Sequence, residues 1–435
     1  MFRSERMRGY AFGIRATLAP LQVAPFGRLL AGYTLNSFGD YVGLVALAVL
    51  VYAETGSAMA TSALFIAGQF VPAFFAPALT ARVDQLHLRA VLPAIYLAEG
   101  AMFGGLALFS ESFLLVPVLL LACLDGVLML TARGLTRGAV NAVLTPRDLL
   151  REGNALLNVS FAASNVGGSA LGGLLVSLFS VTTALWVDAA SFALLGLLVV
   201  TTRRLPLAHS EPERFGARIQ GGLRYVRESR PVWLLLAGQA IALVLFTLVA
   251  PIEIVYARKT LGTDEAGFGA LLATWGAGVV VGSMLFVGIK RQSTRVLVLA
   301  STLAIGVAYS GMAGSRELWL ACAFSMVGGA GNGIQWVAVM TALQEATPAD
   351  LQARITGLLE AIASAMTGVG FLVGGVITAL FSPATAFAVA GGGLILLVAL
   401  AVLKGAAALP GRPPQRVPDR PLVPPGPAQS GMQDL

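Results

Sequence analysis

Long apolar stretches of about 20 residues recur along the chain, and each is long enough to cross a bilayer as a helix. They are too long for the strands of a membrane β-barrel, so helices are the expected form. Short segments rich in charged residues, glycine and proline separate them. We therefore predict twelve membrane spans, which cover residues 28–51, 58–80, 90–110, 113–132, 155–178, 182–202, 232–256, 267–289, 295–313, 318–340, 356–380 and 384–403.

The second half of the chain repeats the first with a constant offset of 202 residues, measured from Thr145 to Thr347. Both copies begin Thr-Pro-x-Asp-Leu and continue into a helix rich in small residues, which let membrane helices approach closely. A parallel duplication of a membrane unit places the working cavity between the copies. The predicted fold class is an all-α membrane protein with twelve transmembrane helices in two pseudo-symmetric six-helix bundles. The recurring glycines, which we expect to form the packing seam between the bundles, are Gly168, Gly172, Gly173, Gly370, Gly374 and Gly375.

Composition and charge agree with a bilayer location. Hydrophobic residues make up 57% of the chain and charged residues 12%, whereas soluble domains carry roughly 25% charged residues. With twelve spans and a cytoplasmic N-terminus, all but three of the 29 Lys and Arg residues fall on the cytoplasmic side, as the positive-inside rule requires. The net charge of +7 therefore reports membrane orientation and not nucleic-acid binding. The three exceptions are Arg258, Lys259 and Arg316.

The same pattern divides the chain into five segments, with both termini in the cytoplasm and the bundles in the inner (plasma) membrane. In the linker between the bundles, Ile219, Leu223 and Val226 share one face of a predicted amphipathic helix that lies on the inner leaflet. The Pro-rich tail is expected to be disordered. The segments are an Arg-rich N-terminal segment (1–27), the N-terminal six-helix bundle (28–202), the cytoplasmic linker (203–231), the C-terminal six-helix bundle (232–403) and the tail (404–435).

Twelve spans in two parallel halves, joined by a long central loop, resemble the major facilitator superfamily. Three loop motifs are similar to those of the bacterial exporter branch that includes macrolide-efflux and siderophore-export proteins. The resemblance implies a secondary transporter of the antiporter type, in which spans one, four, seven and ten line a central cavity. The three motifs are Thr145-Pro-x-Asp-Leu, Arg224-Tyr-Val-Arg227 and Gln344-Glu-Ala-Thr-Pro348-x-Asp350-Leu-x-x-Arg354.

Two further motifs of that family are present in altered form. The loop after the second span retains Arg82, Asp84 and Arg89 of the family's charged loop, although other residues replace its Gly and first Asp. The resemblance implies that these charges, with Arg133 at the inner end of the fourth span, form an inner gate. In the fifth span, Ser169 replaces the proline of the antiporter motif, and the helix-packing role of the motif's glycines is retained.

Transport chemistry must lie in the polar residues inside the spans. Four carboxyl groups fall there, and an ionised carboxylate at that depth costs roughly 2.5–3.5 kcal/mol unless it is paired or hydrated. No Lys or Arg lies in a predicted span interior, so an unpaired carboxylate is suited to exchange protons or bind a cationic substrate.

The resemblance ranks these carboxyl groups. It favours Asp40 first and Asp125 second, with a structural hydrogen bond to a neighbouring helix as the alternative for each. It gives Glu99 and Asp188 a packing role, because spans three and six support the cavity from outside. The expected cavity partners in the second half are Gln239, Glu253, Asn332 and Gln335.

The sequence contains no catalytic constellation, metal-ligand cluster or phosphate-binding loop, so we expect no enzyme activity and no cofactor beyond the proton gradient. The favoured function is proton-coupled multidrug or natural-product efflux by alternating access in a monomer. The substrate is then an amphipathic small molecule, because the spans are apolar and carry few fixed charges. The alternatives are a secondary importer or a lipid or siderophore transporter of the same fold, and a non-transporting membrane protein.

Overall fold

The computed structural model describes residues 19–83, 86–200, 225–288, 292–348 and 351–403. Within these residues every regular element is helical. We number the helices in chain order and divide the two broken ones into parts a and b. They are α1 (Ala24–Thr55), α2a (Ala58–Phe65), α2b (Pro72–Val83), α3 (Leu88–Glu111), α4 (Leu115–Leu144), α5 (Leu150–Leu178), α6 (Val181–Val200), α7a (Arg230–Thr247), α7b (Glu253–Lys259), α8 (Glu265–Gly288), α9 (Thr294–Gly314), α10 (Leu318–Ala346), α11 (Gln352–Leu380) and α12 (Pro383–Leu403).

In the part of the chain that the structure describes, ten helical stretches are long and apolar enough to cross a membrane, which agrees with a multi-pass membrane protein. They match ten of the twelve predicted spans. The other two predicted spans are also helical, as α6 and α10. The apolar run described for α6 is short, Val181–Leu197. In α10, glycines and polar residues such as Asn332 lower the mean hydropathy. The count of twelve spans and the division into two six-helix bundles therefore stay predictions.

Two of the predicted spans are interrupted part-way along. Between α2a and α2b the segment Ile66–Phe70 is π-helical, and the amide of Val71 donates to the carbonyl of Ile66 at 2.9 Å. Between α7a and α7b the chain makes a 3-10 turn, Ala250–Ile252. Pro251 in that turn has no amide hydrogen to donate, so the regular helix cannot continue through it. Both interruptions separate a span into parts that can tilt differently.

The repeat seen in the sequence recurs in the backbone. Helices α5 and α11 are both 29 residues long and keep the same offset. They end at Phe179 (φ −124°, ψ −93°) and Phe381 (φ −126°, ψ −95°). The next residue in each copy, Ser180 or Ser382, accepts a hydrogen bond from the amide three residues on, at 3.0 and 3.1 Å. The two copies therefore share local geometry as well as sequence.

Contacts between the two halves of the chain concentrate on two helix pairs. Helix α5 packs along α8, and α2a with the π-helical segment packs along α11. Within the first half α1 packs on α5 and α6, and α3 packs on α6. Within the second half α10 packs on α8 and α9, and α7a packs on α11. The two inter-half contacts are equivalent under the repeat, because α2 and α5 correspond to α8 and α11.

Two of the recurring glycines lie where the halves meet. A Cβ atom on Gly173 would stand 2.6 Å from the carbonyl oxygen of Glu265 in α8, and one on Gly375 would stand 2.8 Å from Cβ of Ser62 in α2a. We expected all six recurring glycines at the boundary between the halves, but the other four contact helices of their own half. Successive helix residues point about 100° apart, so adjacent glycines face different neighbours. Gly168 and Gly172 face α1, whereas Gly370 and Gly374 face α7a and the turn that follows it.

One end of the molecule, which we call the sealed end, holds the turns 55–58, 178–181 and 259–265. Here α7b lies against α1, α8 and α12, and its residues Ile254, Val255, Tyr256 and Ala257 are at most 1% exposed. A polar contact also joins the halves at this end, because the Ser177 hydroxyl donates to the Asp264 carboxylate at 3.3 Å. The opposite, basic end carries Arg28, Arg82, Arg137, Arg147 and Arg295.

Several predicted segments lie outside the described residues, namely 1–18, 201–224 and 404–435, which hold most of the N-terminal segment, the linker and the tail. The described end of the linker, residues 225–228, is helical. Val226 is buried in a cluster with second-half core residues, and the Tyr225 hydroxyl donates to the carbonyl of Ala346 at 3.1 Å. This end of the linker therefore packs on protein, whereas we expected the linker to lie on the inner leaflet.

Replacing Gly173 with alanine should lower the thermal unfolding temperature of the purified protein in detergent. The added methyl group would overlap the α8 backbone, so α5 and α8 would have to separate. The matched control is Gly238→Ala in α7a, where nothing lies within 4 Å of the added carbon. Alanine is the better helix former by about 1 kcal/mol, so the control should unfold at the same or a higher temperature. Equal behaviour of the two variants would contradict the assigned contact.

Asp264 should stabilise the sealed end in a pH-dependent way. The Gly267 amide donates to its carboxylate at 3.0 Å, and this hydrogen bond holds the pKa of Asp264 below its usual value. The resulting stabilisation is present above the unfolded pKa of about 3.9 and is lost as the pH falls through the lower folded pKa.

Thermal unfolding at neutral and acidic pH would test this contribution. Asp264→Ala removes the cap of α8 and should cost about 1 kcal/mol at neutral pH. Asp264→Asn keeps a capping oxygen, so it should cost less and should lose the pH dependence. Equal losses in the two variants would show that the side chain does not cap the helix.

Candidate functional site: a charged cavity in the first half

A cavity of about 290 Å³ lies among the helices of the first half. Helices α1, α2, α4 and α5 supply most of its wall, and Phe103 of α3 adds to it. Leucine and aromatic side chains dominate the lining, so the wall is mainly apolar. Three charged residues line it as well, namely Asp40, Asp125 and Arg133.

Asp40 of α1 forms an ion pair with Arg133 of α4. Nη2 of Arg133 donates to Oδ2 of Asp40 at 2.8 Å, and the Asn36 amide donates to Oδ1 at 3.4 Å. The side chain of Asp40 is 7% exposed and that of Arg133 is 20% exposed. Asp40 is therefore almost enclosed, and its contact with the arginine ties two cavity-lining helices together.

The pairing was not expected, because the sequence places no Lys or Arg inside a predicted span and we assigned Arg133 to the inner loop motif. The physical reason is the length of α4, which continues to Leu144. Arg133 is therefore a helical residue that faces α1, whereas hydropathy ended the fourth span just before it.

An aromatic ring fixes the other face of the guanidinium group. The Cζ atom of Arg133 lies 5.2 Å from the centre of the Phe161 ring in α5, a cation–π distance. The ring of Tyr41 meets Phe161 edge-on at 5.7 Å. Nε of Arg133 has no hydrogen-bond partner among the described residues. The arginine is thus held by one carboxylate and one ring, and it keeps donor capacity for another acceptor.

Asp125 lines the same cavity, which lies within the first half, whereas the sequence led us to expect a cavity between the halves. It lies eight residues before Arg133 on α4, about two helical turns away along the same helix. Its Oδ1 atom is buried and has no partner among the described residues. Asp125 is therefore a cavity carboxyl group that forms no ion pair within hydrogen-bond distance among the described residues.

The π-helical segment of α2 forms the wall beside Asp125. Gly68 and Gln69 of this segment line the cavity, and the backbone carbonyl of Gly68 lies directly against Gly126. A side chain at position 126 would collide with that carbonyl, so glycine allows the widened turn to pack on α4. Isolated π-helical turns are frequent at functional sites. Sequence reasoning missed this element, although Gly68-Gln69 inside an apolar stretch was a possible signal.

The four polar residues predicted in the second half do not line this cavity. Gln335 is buried and donates to the Thr302 hydroxyl in α9 at 2.9 Å. Gln239 is 6% exposed in α7a, and Glu253 is 8% exposed at the break in that span. Asn332 is half-buried on α10. A position along the chain predicts depth in the bilayer, but the direction of the side chain depends on packing.

The other two carboxyl groups lie behind α1, away from the cavity lining. Glu99 of α3 is 0% exposed, and neither of its oxygens has a hydrogen-bond partner among the described residues. Asp188 of α6 is 1% exposed and accepts a hydrogen bond from Ser191 at 3.3 Å. Both are buried as expected, but Glu99 makes no hydrogen bond that would explain a packing role.

The predicted inner gate is described only in part. Arg82 is exposed at the end of α2b, and Arg89 lies in the first turn of α3. Asp84 lies outside the described residues, and Arg133 belongs to the cavity. Among the described residues, no group of three or more His, Cys, Asp or Glu side chains is placed to hold a metal ion.

Comparison with known sequences points to membrane transport. A sequence model of the family described as transmembrane secretion effectors matches residues 15–417. An uncharacterised MFS-type transporter of Bacillus subtilis (strain 168), YfiS, is 24% identical over 393 residues, which are 87% of this chain and 92% of the relative. The multidrug efflux pump Tap of Mycolicibacterium fortuitum is 26% identical over 374 residues, which are 82% of this chain and 88% of the relative.

Solved structures share the fold at lower sequence identity. The nucleoside transporter NupG superposes with a TM-score of 0.70 and 12% identity over 87% of this chain and 98% of that one. A bacterial homologue of the human lysosomal transporter Spinster, in an inward-facing and unoccupied conformation, gives a TM-score of 0.61 and 15% identity over 90% of this chain and 96% of that one. The helices described above therefore have the arrangement of known transporters.

The ion pair should be detectable by a double-mutant cycle on thermal stability. Asp40→Asn leaves the arginine without its carboxylate, and Arg133→Gln leaves the carboxylate without its cation. Each single variant should be destabilised by roughly 3–5 kcal/mol, because an unpaired charge remains inside the protein. The double variant should be more stable than the sum of the single losses predicts. If the stability loss of the double variant equals the sum of the two single losses, the pairing is contradicted.

Proposed function

Because the chain belongs to the transmembrane secretion effector family of the major facilitator superfamily, we propose that it is a proton-coupled exporter of amphipathic small molecules. The observation that carries the proposal is the Asp40–Arg133 ion pair in the wall of an apolar cavity. A second cavity carboxyl group, Asp125, adds a site for a proton or for positive charge. The multidrug efflux relative supports export, and the apolar lining supports an amphipathic substrate.

Protons and substrate compete in this mechanism. When Asp40 is ionised, it holds Arg133 and links α1 to α4. A proton on Asp40 removes the negative partner, so the pair weakens and the two helices can move apart. An amphipathic cation binds best when the cavity carboxylates are ionised, whereas protons bind best when the cation has left. Such competition makes the two fluxes run in opposite directions.

Alternating access then uses the contacts between the halves. The close approaches at Gly173 and Gly375 would have to open and re-form as the sealed end opens. The basic end would face the cytoplasm, because positively charged residues favour that side. In this orientation the sealed end faces outward, and the proton gradient across the membrane drives release there without a bound cofactor.

Transport by the protein in proteoliposomes would test the proposal, with ethidium as an amphipathic cation and an imposed proton gradient. Asp40→Asn should still bind ethidium but lose accumulation by about 5- to 150-fold, the usual range of coupling. Asp40→Glu should keep part of the activity, because the charge remains and only its reach changes. Asp125→Asn should have a smaller effect.

The matched control is Glu54→Gln, an exposed position at the end of the same helix, which should transport like the wild type. The double variant Asp40→Asn with Arg133→Gln separates coupling from folding. It should regain stability while remaining unable to accumulate ethidium. If well-folded Asp40→Asn protein accumulated ethidium at the normal rate in a proton-dependent way, the assignment of proton coupling to Asp40 would be contradicted.

A further inference from the structure

We propose that Glu99 and Asp188 form a second proton-binding site, located behind α1 between α3 and α6 and outside the substrate cavity. The inference rests on the proposed proton coupling and adds to it. It assigns proton exchange to two residues that sequence reasoning placed outside the cavity as packing partners. Both groups are buried, other carboxyl groups lie near them, and a small cavity lies beside Tyr96 on α3.

The first observation is the enclosure of both carboxyl groups. Glu99 is 0% exposed and has no hydrogen-bond partner for either oxygen among the described residues. Asp188 is 1% exposed, and its Oδ2 has no partner among those residues. An ionised carboxylate in such surroundings costs several kcal/mol. In this conformation each group is therefore a neutral acid that carries a proton.

The second observation is the balance of charge around Glu99. Within electrostatic reach of it are Asp40 from α1, Asp125 and Arg133 from α4, and Asp188 from α6. Tyr96 lies one turn away on its own helix. One guanidinium group faces four carboxyl groups, and it is bound to Asp40. Any change in the Asp40–Arg133 pair therefore alters the field at Glu99.

The third observation is the way α1 separates this layer from the substrate cavity. Two glycines of α1 let the Asp188 carboxyl approach the helix: Cβ atoms on Gly39 and Gly43 would stand 2.5 and 2.6 Å from its oxygens. Asp40 is adjacent to Gly39 in sequence but lines the cavity. The Phe103 ring lines the cavity and stacks on Phe192 at 5.5 Å. Helix α1 thus carries one carboxyl group on its cavity face and contacts another on its rear face.

The fourth observation is a small cavity of about 20 Å³ near the basic end. Its lining includes Arg28, Tyr96 and Thr136, so it is partly polar. A cavity of this size can hold one water molecule. Tyr96 and Glu99 are three residues apart on α3 and therefore share a face of the helix. A water molecule in this cavity would lie beside Tyr96, about one turn of α3 away from Glu99.

The consequence concerns when the protons leave. With Asp40 paired to Arg133, the arginine is engaged and Glu99 and Asp188 stay protonated. When Asp40 takes a proton, its charge no longer balances that of the Arg133 guanidinium group. The electrostatic potential at Glu99 and Asp188 then becomes more positive. That change favours release of a proton from Glu99 or Asp188 to water. The second proton-binding site is thereby coupled electrostatically to the cavity site, and the proton that it releases offsets part of the uptake by Asp40.

Carbodiimide labelling of the wild-type protein, mapped by mass spectrometry, tests the site without a transport assay. The reagent modifies protonated carboxyl groups in apolar surroundings. Labelling at Glu99 should fall several-fold at alkaline pH, because only the protonated acid reacts and an exchangeable proton is lost there. Labelling of Glu99 that is independent of pH would identify a permanently neutral structural acid and overturn the proposal.

The number of protons moved per ethidium molecule provides a second test. Protons moved per ethidium should be more numerous in Glu99→Gln and Asp188→Asn, which keep the shape of the side chain but remove the proton release that offsets uptake by Asp40. Glu111→Gln, an exposed position at the end of α3, is the matched control and should keep the wild-type ratio.

Different results would contradict the proposed function and the second proton-binding site. Wild-type protein that moves ethidium without protons contradicts the proposed function. Wild-type coupling with an unchanged ratio in folded Glu99→Gln and Asp188→Asn contradicts the second site alone.

Discussion

Four carboxyl groups and one guanidinium group are buried in the same half of this apolar protein, and the arrangement around them follows from that imbalance. A buried charge is stable only when it is paired, hydrated or neutralised by a proton. Arg133 can satisfy one carboxylate, and it is bound to Asp40. Asp125 has the cavity beside it, while Glu99 and Asp188 are enclosed. Enclosed carboxyl groups without a cation are most stable as neutral acids, and the proposed proton coupling uses this property.

Glycine packing makes the arrangement possible. The carboxyl group of Asp188 reaches α1 because two glycines face it, and the π-helical turn beside Asp125 fits because Gly126 has no side chain. At the boundary between the halves, the Cβ position of Gly173 faces the Gly269 backbone, so α5 and α8 approach closely there. Side chains also meet across this boundary, because the Phe65 ring of α2a lies edge-on to the Phe371 ring of α11 at 5.5 Å.

Sequence reasoning predicted the parts of the structure that depend on depth and periodicity. Long apolar runs gave the positions of the helices, and the duplication is visible again in the matching ends at Phe179 and Phe381. Depth also identified Asp40 and Asp125 as polar residues inside spans, but the cavity that they line lies within the first half, whereas a cavity between the halves was expected. It did not reveal Arg133 as the partner of Asp40, because hydropathy ends a span at an arginine even where the helix continues.

Side-chain direction was the other property that periodicity did not determine. Gly172 and Gly173 are adjacent, yet one faces α1 and the other faces α8. Gln335 was expected in the cavity, but it is bound to Thr302. The π-helical turn was also unforeseen, since one added residue per turn leaves the apolar pattern of the segment unchanged. These features depend on contacts between distant parts of the chain.

Proton release on substrate binding tests the central claim most directly. Ethidium would be added to the purified protein in weakly buffered detergent solution, and the pH change would be followed with an indicator dye. If ethidium and protons compete for the cavity carboxylates, the wild-type protein will release protons on binding. Asp40→Asn should bind ethidium with most of that release lost. An equal release of protons from Asp40→Asn and the wild type would contradict the assignment of coupling to the Asp40–Arg133 pair.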